Sequence, residues 1–380
     1  MRFYTEHHQY YCGIDLHTKT MYICIIDADG KTVFHENAPV NADVLLEIIK
    51  PYLPDIVICV ECIFTWYWIA DFCEERDIPF VLGHALYMKA IHGSKTKSDK
   101  LDSEKIAKLL KGGMLPMSYV YPRGLRSTRD LLRRRIYLKR KRAELLAHIQ
   151  NTKSQYNLPG FAKSISYKAN RTDVVSHFED PSVQQMIGCD VSLIDHYDTL
   201  LQKIELYILK HAKSHRPQDL YLLQTIAGVG EILSLVILYE IHDISRFEKV
   251  QHFTSYCRLI RPTKESAGKI KSSGAKKMGN PFLRWAFSEA VLLLIRESEA
   301  VKELHNQLKN RYGKARALAI LSHKLGRAVF YMLKNKEAFK IKTFVNEKEK
   351  AKAKAKAKEK AKEKTLVSEK GKTKAKNVVK

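Results

Sequence analysis

Four acidic residues stand out in a chain whose other charges are mostly positive. Asp15 ends one apolar run, YCGID, and Glu61 ends another, IVICVE. An acid at the end of a strand is costly to bury without a counter-charge. Asp99 and Asp102, in KSDKLDSEK, are three residues apart, which places both on one face of a helix or of its first turn. These four carboxylates are therefore candidates for holding a cation.

Mg²⁺ and Mn²⁺ are the cations that such a set would suit. Hard divalent cations bind oxygen ligands and retain waters, so three or four convergent carboxylates form a suitable cage. Two such ions about 3.5 to 4 Å apart stabilise both the attacking and the leaving oxygen of a phosphodiester displacement. The alternative is that Asp99 is a helix N-cap, that Asp102 and Glu104 favour the helix dipole, and that Asp15 is a turn residue.

The elements that must position these acids follow from the hydrophobic pattern. Residues 10–37 predict three antiparallel strands, with a hairpin signal at DADG. Alternating helical and strand patterns then occupy 42–53, 55–61, 66–76, 79–83 and 101–113. The order βββαβαβα predicts an α/β ribonuclease-H-like fold, in which the first and fourth strands are neighbours. Asp15 and Glu61 would then meet at one edge of the sheet.

The remainder of the chain has a mainly helical pattern. Residues 123–151 are helical and intensely basic, and 195–215 have apolar residues at coiled-coil spacing, so together they predict a long antiparallel helical arm. The segment between them reads as a loop or short helices. From Asp219, Gly228 and Gly230 separate two apolar helices as in a helix-hairpin-helix, whose turn aims backbone N–H groups at a phosphate. A plain helix connection is the alternative. A polar loop and a last helix, 314–335, follow.

The charge balance indicates a polyanionic partner. The formal net charge is +25, of which residues 346–380 carry +9 from fourteen Lys and five Glu, leaving +16 elsewhere. The lysine-rich stretch lacks the apolar residues of a packed core and is expected to be a solvated, disordered tail. A merely soluble basic protein and a membrane surface are the alternatives, but there is no run of 18 apolar residues and no signal-peptide segment, so we expect a cytoplasmic protein.

The cysteines favour a reducing compartment. There are seven, an odd number at irregular spacing, which argues against a disulfide framework. Cys59 and Cys62 form a C-x-x-C within an apolar strand pattern, with no second pair to complete a zinc site. We interpret them as a buried pair of small hydrophobic residues.

The segment RPTKESAGKIKSSGAKKMGNPFLRWA combines five lysines, three serines and no aspartate. A serine hydroxyl is a poor nucleophile unless its proton is removed or its developing charge is stabilised, which Lys or a metal can do. Taken alone, this loop suits phosphate contact better than catalysis.

Several motifs together carry a family resemblance. They are YCGIDLHTK, VECIFTWYW, KSDKLDSEKIAKLL, TIAGVGEILSLVILYEI, RFEKVQHFTSYCRLIRP, KESAGK and KKMGNPFLR. From about Tyr11 to Asn335 the chain resembles the DEDD-type transposases of bacterial insertion sequences. That family has a RuvC-like N-terminal domain, a helical middle and a C-terminal transposase domain bearing a characteristic serine.

The resemblance implies roles for particular residues. Asp15, Glu61, Asp99 and Asp102 would be the metal-binding tetrad, and Ser266, in KESAGK, the nucleophile that joins covalently to a DNA phosphate. It also implies guidance by a non-coding bridge RNA and assembly of dimers or tetramers. The chain departs from the family pattern at Ala267, where glycine is usual, and at Ser103, where alanine is usual. Ser272 and Ser273 are alternatives for the nucleophile.

The sequence thus predicts four regions and a surface for nucleic acid. The regions are a RuvC-like catalytic domain, 1–120; a basic helical arm, 121–216; a C-terminal transposase domain with the serine loop, 217–340; and the tail, 341–380. Donor and target DNA and the bridge RNA are the expected partners, with nucleoid association when active. The residues expected to contact nucleic-acid backbone are Arg133, Arg134, Arg135, Lys139, Arg140, Lys141, Arg142, Lys264, Lys269, Lys271, Lys276, Lys277 and Arg284.

Two other functions fit parts of the pattern. A RuvC-like, metal-dependent nuclease would keep the acids, hydrolyse branched DNA with water and have no need of the serine. A non-enzymatic nucleic-acid-binding protein descended from a transposase would need neither.

Overall fold

The computed structural model describes residues 2–91, 98–212, 215–260, 263–266, 269–273 and 278–345. The chain divides into two compact units, residues 1–127 and 128–380. The boundary between the two units lies seven residues beyond residue 120, the expected end of the catalytic domain. The predicted arm and the predicted C-terminal domain fall within one unit. Within the described ranges, no helix combines the length and the apolar character needed to cross a membrane.

The first unit is a mixed α/β structure built on one five-stranded sheet. Its elements are β1 (Tyr10–Leu16), β2 (Thr20–Asp27), β3 (Thr32–Pro39), α1 (Ala42–Ile49), β4 (Ile56–Glu61), α2 (Tyr67–Glu74), β5 (Phe80–Gly83), α3 (Ala85–Ile91) and α4 (Asp99–Lys111). The strand order is β3-β2-β1-β4-β5. The first three strands pair antiparallel, and β4 pairs parallel to both β1 and β5. The predicted order of elements is confirmed, and so is the prediction that the first and fourth strands are neighbours. Helix α3 was not predicted.

Both faces of this sheet are covered, which explains the nearly continuous apolar strands. On β1, Cys12, Ile14 and Leu16 pack into one core together with α1 and α2 residues. Tyr11 packs into the opposite core, together with residues of α4. Successive side chains of a strand point to opposite faces, so each central strand contributes to both cores.

The C-x-x-C motif is split by this arrangement. Cys59, on β4, is fully buried, and burial raises the pKa of its thiol. Cys62, just beyond the strand, is exposed, so the expectation of a buried pair is wrong for this residue. All seven cysteines are free thiols, as their number and spacing predicted.

The second unit is mainly helical. Its helices are α5 (Arg123–Gln155, whose first turn belongs to the first unit), α6 (Pro181–His211), α7 (Pro217–Gln224), α8 (Glu231–Ile241), α9 (Val250–Tyr256), α10 (Pro281–Glu297), α11 (Glu299–Tyr312), α12 (Lys314–Asn335) and α13 (Ile341–Val345). Two short strands, β6 (Thr263–Ser266) and β7 (Lys269–Ser273), form an antiparallel hairpin. Residues 341–345, assigned to the tail from sequence, are thus helical, and the rest of the tail lies outside the described residues.

The helical arm is antiparallel, as predicted. Arg142 on α5 pairs with Asp198 on α6, whereas Arg135, earlier on α5, pairs with Glu205, further along α6. Helix α6 begins at Pro181, capped by the Asp180 side chain, 14 residues before the predicted start. Its buried face repeats every seven residues, at Ile187, Ile194, Leu201 and Ile208.

The glycines between α7 and α8 form the predicted break between two helices. Gly228 has a φ of +80°, a conformation that favours glycine, and a Cβ there would lie 3.0 Å from the Leu293 side chain. Helix α8 is buried on all sides from Leu233 to Ile241. This turn is therefore packed against α10, and its role as a phosphate-binding hairpin remains a prediction.

Candidate active site

Two of the predicted acids lie at the same edge of the sheet. Ile14 on β1 is in register with Val60 on β4, and the two strands run parallel. Asp15 and Glu61 each follow one of these paired residues, so they stand side by side on adjacent strands. Asp15 is only 9% exposed and Glu61 is half-buried at the last residue of β4. The sheet topology thus brings together two acids that are 46 positions apart in the sequence.

Helix α4 brings the third acid to this edge, and a close approach between helix and strand makes that possible. A Cβ on Gly13 would lie 2.4 Å from the Ala107 backbone N and 2.4 Å from the Ser103 backbone O. Only a glycine on β1, facing small residues on α4, permits this packing. The helix therefore lies directly on β1, two residues before Asp15, with its N-terminus near the site.

The start of α4 decides between the two interpretations of Asp99. Ser98 is the N-cap, because its side chain accepts a hydrogen bond from the Leu101 N–H at 3.3 Å. Asp99 is the first helical residue, so its interpretation as an N-cap is wrong. Its carboxylate instead lies near that of Asp15.

A histidine outside the predicted acidic set joins these two acids. The Nε2 atom of His17 lies 3.5 Å from Oδ2 of Asp15 and 3.4 Å from Oδ2 of Asp99. One donor atom from each of the three residues lies within 4.8 Å of the other two. Side chains at positions i and i+2 of a strand share a face, and this spacing in IDLH was the signal that could have identified His17.

The fourth acid, Asp102, lies one turn further along α4. It is half-buried, and Lys105 Nζ lies 3.1 Å from its Oδ1. The structure therefore groups Asp15, His17 and Asp99 most tightly, with Glu61 on the adjacent strand and Asp102 on the same helix as Asp99. This set of carboxylate oxygens and one imidazole nitrogen fits a divalent cation by its donor chemistry.

Ser103, the departure noted in the sequence, is accommodated without an unsatisfied hydroxyl. Ser103 is fully buried, and its hydroxyl donates to the backbone oxygen of Lys100 at 2.9 Å. His35 Nε2, on β3, lies 3.3 Å from the same hydroxyl. Ser103 therefore contributes a hydrogen bond between α4 and β3.

The predicted serine loop is in part a β-hairpin. Ser266 is the last residue of β6 and pairs with Lys269, while Lys264 pairs with Ser272. Ala267 and Gly268, between the two strands, and Lys276 and Lys277, beyond them, lie outside the described residues, and the hairpin side chains are not described either. The alternating pattern of a strand is weak in this Ser/Lys/Gly-rich sequence, which is why it suggested a loop.

The segment that carries the hairpin is joined at its two ends. The Asn280 N–H donates to the Tyr256 backbone oxygen at 2.6 Å, and Arg258 Nε donates to the Gly279 oxygen at 2.8 Å. Gly279 has a φ of +86°, and a Cβ there would lie 2.5 Å from the Tyr256 oxygen. Glycine is therefore required for this closure.

A buried carboxylate anchors the same end of the segment. Glu240, on α8, has a side chain 3% exposed and accepts hydrogen bonds from Arg129, Arg133 and Asn280. Burial alone would raise the pKa of Glu240, but the hydrogen bond from Arg133 and the charges of both arginines hold it below its usual value. Asn280 is also the N-cap of α10, so this network ties together α5, α8 and α10.

The basic residues predicted to contact nucleic acid divide into two groups. Arg133, Arg135 and Arg142 donate to the carboxylates of Glu240, Glu205 and Asp198 within the unit. These three therefore have structural partners that the sequence does not reveal. Lys141 pairs with Glu144 at the surface of the arm. Among the predicted cations whose side chains the structure describes, the exposed residues are Arg134, Lys139, Arg140 and Arg284.

The comparisons with known proteins agree with this arrangement. Residues 12–157 match a transposase family model of the IS110 DEDD type, and residues 220–306 match the model described as Transposase IS116/IS110/IS902 family. A comparison with curated proteins finds no match. These transposase family domains support an enzyme that acts on DNA, a transposase of an insertion sequence. The chain carries the IS110-family transposase domains, with the mixed α/β unit corresponding to the ribonuclease-H-like DEDD domain.

Proposed function

We propose that the acidic edge of the sheet and the serine hairpin together cut and rejoin DNA strands through a covalent protein–DNA linkage. The observation that carries this proposal is that Asp15 and Asp99, which are 84 positions apart in the sequence, lie close together beside Glu61, the last residue of β4. This cluster, held by the close backbone approach at Gly13, has the donor chemistry for a divalent ion. Glu61 and Asp102 complete the proposed tetrad.

Mg²⁺ or Mn²⁺ is the proposed ion, and when bound it would stabilise the negative charge that develops on a scissile phosphate. The residues of this chain have the remaining tasks. Asp15, Glu61, Asp99 and Asp102 would bind and orient the ion. His17 lies between two of these carboxylates, at the same edge of the sheet.

Ser266 is the proposed nucleophile. Its Oγ would form a bond to phosphorus as the bond from phosphorus to a deoxyribose oxygen breaks, and that oxygen would leave as a hydroxyl after taking up a proton. In the joining step, a hydroxyl from the other DNA would attack the phosphoserine, and Ser266 would regain its proton. The bond energy is retained throughout, so strands can be exchanged without an external energy source.

The remaining features of the proposal concern partners. The exposed cations Arg134, Lys139 and Arg140 would bind phosphates of DNA or of a non-coding bridge RNA. Because the resemblance implies that one subunit's acidic site meets another's serine, the active form would be a dimer or tetramer. The four regions proposed from the sequence, and association with the nucleoid during activity, belong to the same hypothesis.

The test of this mechanism is a search for the covalent product. Purified protein is incubated with donor DNA, the flanking non-coding RNA and Mn²⁺, and then analysed on a denaturing gel for DNA that migrates with the protein. We expect this product for the wild-type chain and its loss in Ser266→Ala and Asp15→Asn. Ser272→Ala and Ser273→Ala are matched controls that should retain it.

Two results would contradict the proposal. Cleavage without any covalent product, retained in Ser266→Ala, would indicate a nuclease that uses water. Retention of every activity in Asp15→Asn would indicate a nucleic-acid-binding protein without catalytic function.

A further inference from the structure

We propose that His17 is itself a metal ligand, through Nε2, and that this nitrogen makes the centre select Mn²⁺ over Mg²⁺. The inference rests on the proposed function, because it concerns the same centre. It adds a residue outside the carboxylate tetrad and a preference between two ions that the tetrad alone would accept.

The separations between the donor atoms favour a shared ion over hydrogen bonds. His17 Nε2 lies 3.5 Å from Asp15 Oδ2 and 3.4 Å from Asp99 Oδ2. Hydrogen bonds between such charged groups are shorter, typically about 2.7 to 2.9 Å. In contrast, two ligand atoms that each lie about 2.1 to 2.2 Å from one ion are about 3.0 to 3.6 Å apart at angles between about 90 and 109°.

The backbone around His17 fixes the position of its imidazole. The His17 N–H donates to the Thr20 oxygen at 2.9 Å, which closes the turn between β1 and β2. His17 therefore follows β1 directly and lies on the same side of the strand as Asp15. Its side chain is 48% exposed and that of Asp15 12%, so burial does not account for the histidine's placement between two carboxylates.

The chemistry of the donor set gives the selectivity. Mg²⁺ prefers oxygen ligands in a near-ideal octahedron and gives up its waters reluctantly. Imidazole is a ligand for transition metals, and Mn²⁺ also accepts carboxylate ligands. A set of carboxylates with one imidazole therefore adds affinity for Mn²⁺ and little for Mg²⁺.

Pulsed electron paramagnetic resonance of Mn²⁺ added to the full chain tests this assignment directly. A coordinated imidazole gives a ¹⁴N hyperfine coupling to the bound Mn²⁺. We expect the coupling in the wild-type chain and in His7→Ala, an exposed histidine outside the site that serves as the matched control. We expect its loss in His17→Ala.

Binding titrations supply the second readout. Mn²⁺ should bind His17→Ala about tenfold or more weakly than the wild type. The affinity for Mg²⁺, measured by competition with Mn²⁺, should change by less than about twofold. Loss of affinity for both ions to the same extent would overturn the proposal, because it would show that His17 only orients the carboxylates.

The outcomes separate this inference from the proposed function. If Mn²⁺ binds the wild-type chain in a manner that Asp15→Asn abolishes, but without a ¹⁴N coupling, the metal centre stands and His17 is not a ligand. If binding is unaffected by Asp15→Asn, or is absent, the centre itself is wrong and this inference fails with it.

Discussion

Gly13 on β1 and Ala107 on α4 are in contact through their backbones. A Cβ on Gly13 would lie 2.4 Å from the Ala107 nitrogen, a separation that real Cβ atoms do not adopt. Asp99 lies eight residues before Ala107 on the same helix, and Asp15 two residues beyond Gly13 on the same strand. The spacing between these two acids therefore depends on a position that has no side chain.

Gly13→Ala should displace α4 and weaken metal binding together. The added methyl group meets backbone atoms, which cannot rotate away, so we expect a loss of about 1–3 kcal/mol in the free energy of unfolding. Urea unfolding and a Mn²⁺ titration measure the two effects. Gly124→Ala, in the same unit and with no atom within 4 Å of the added Cβ, is the control: it should leave metal binding unchanged and, because it lies in α5, should raise stability by at most about 1 kcal/mol. Wild-type metal affinity in Gly13→Ala would contradict this dependence.

Glu240→Gln should destabilise the second unit strongly. The substitution leaves Arg129 and Arg133 facing a neutral group in a buried site, and breaking a buried pair in this way costs about 3–5 kcal/mol. Unfolding by urea at pH 7 measures the loss. Glu144→Gln, which removes an exposed pair with Lys141, is the control and should have no measurable effect.

The same carboxylate predicts a pH dependence. The pKa of Glu240 is held below its usual value of 4.5, so its stabilising contribution is fully present above pH 4.5 and is lost as the pH falls through the lowered pKa. The difference in unfolding free energy between wild type and Glu240→Gln should therefore be constant above about pH 5 and shrink at lower pH. A constant difference down to about pH 3 would show that the pairs are not formed.

The two groups of basic residues on α5 should behave differently when replaced. Arg134→Ala, Lys139→Ala and Arg140→Ala should weaken binding to DNA or RNA. Each side chain that binds a phosphate should, when removed, reduce the salt slope of log K by about 0.9 for duplex DNA. The unfolding curves of these variants should match the wild type. Binding isotherms at several salt concentrations provide the measurement.

Arg135→Ala and Arg142→Ala are the contrast to this set. They leave Glu205 and Asp198 without these partners and should destabilise the arm. Burial alone would raise the pKa of Asp198, whereas the hydrogen bonds from Arg142 and Arg171 keep it low. Destabilisation by the first set, or none by the second, would contradict this division.

Deleting the residues after Glu347 should weaken non-specific nucleic-acid binding in a salt-dependent way and leave catalysis intact. The removed stretch is rich in lysine and lacks the apolar residues of a core. Filter binding at low and high salt, beside the strand-transfer assay, tests both parts. Loss of catalysis on truncation would contradict this prediction.

The strands and helices of the first unit, apart from α3, were predictable because each has a clear period and a clear boundary. Ser98 and Asp99, however, compete for the same cap position, and only the structure distinguishes them. His17 was missed because only carboxylates were considered as ligands. Its spacing from Asp15 along the strand contained the signal.

The sequence could not show which residues far apart in the chain form ion pairs with each other. Nothing local to Arg133 or Arg135 reveals a partner, since Glu240 and Glu205 lie 107 and 70 positions away. A dense run of arginines therefore suggested one continuous surface for nucleic acid. In the folded unit, Arg133, Arg135 and Arg142 instead connect helices to one another. The exposed cations Arg134, Lys139 and Arg140 alternate with them along α5.

The joined ends of the serine-bearing segment make it a modular insertion in the second unit. Since Tyr256 and Asn280 are bonded to each other, the chain leaves and re-enters the helical core at a single point. Changes of length or sequence within the hairpin, residues 263–273, need not be transmitted to α9 and α10, provided that Arg258 and Gly279 are kept. Related chains could exchange this segment, and with it the proposed nucleophile, while the helices that support it stay the same.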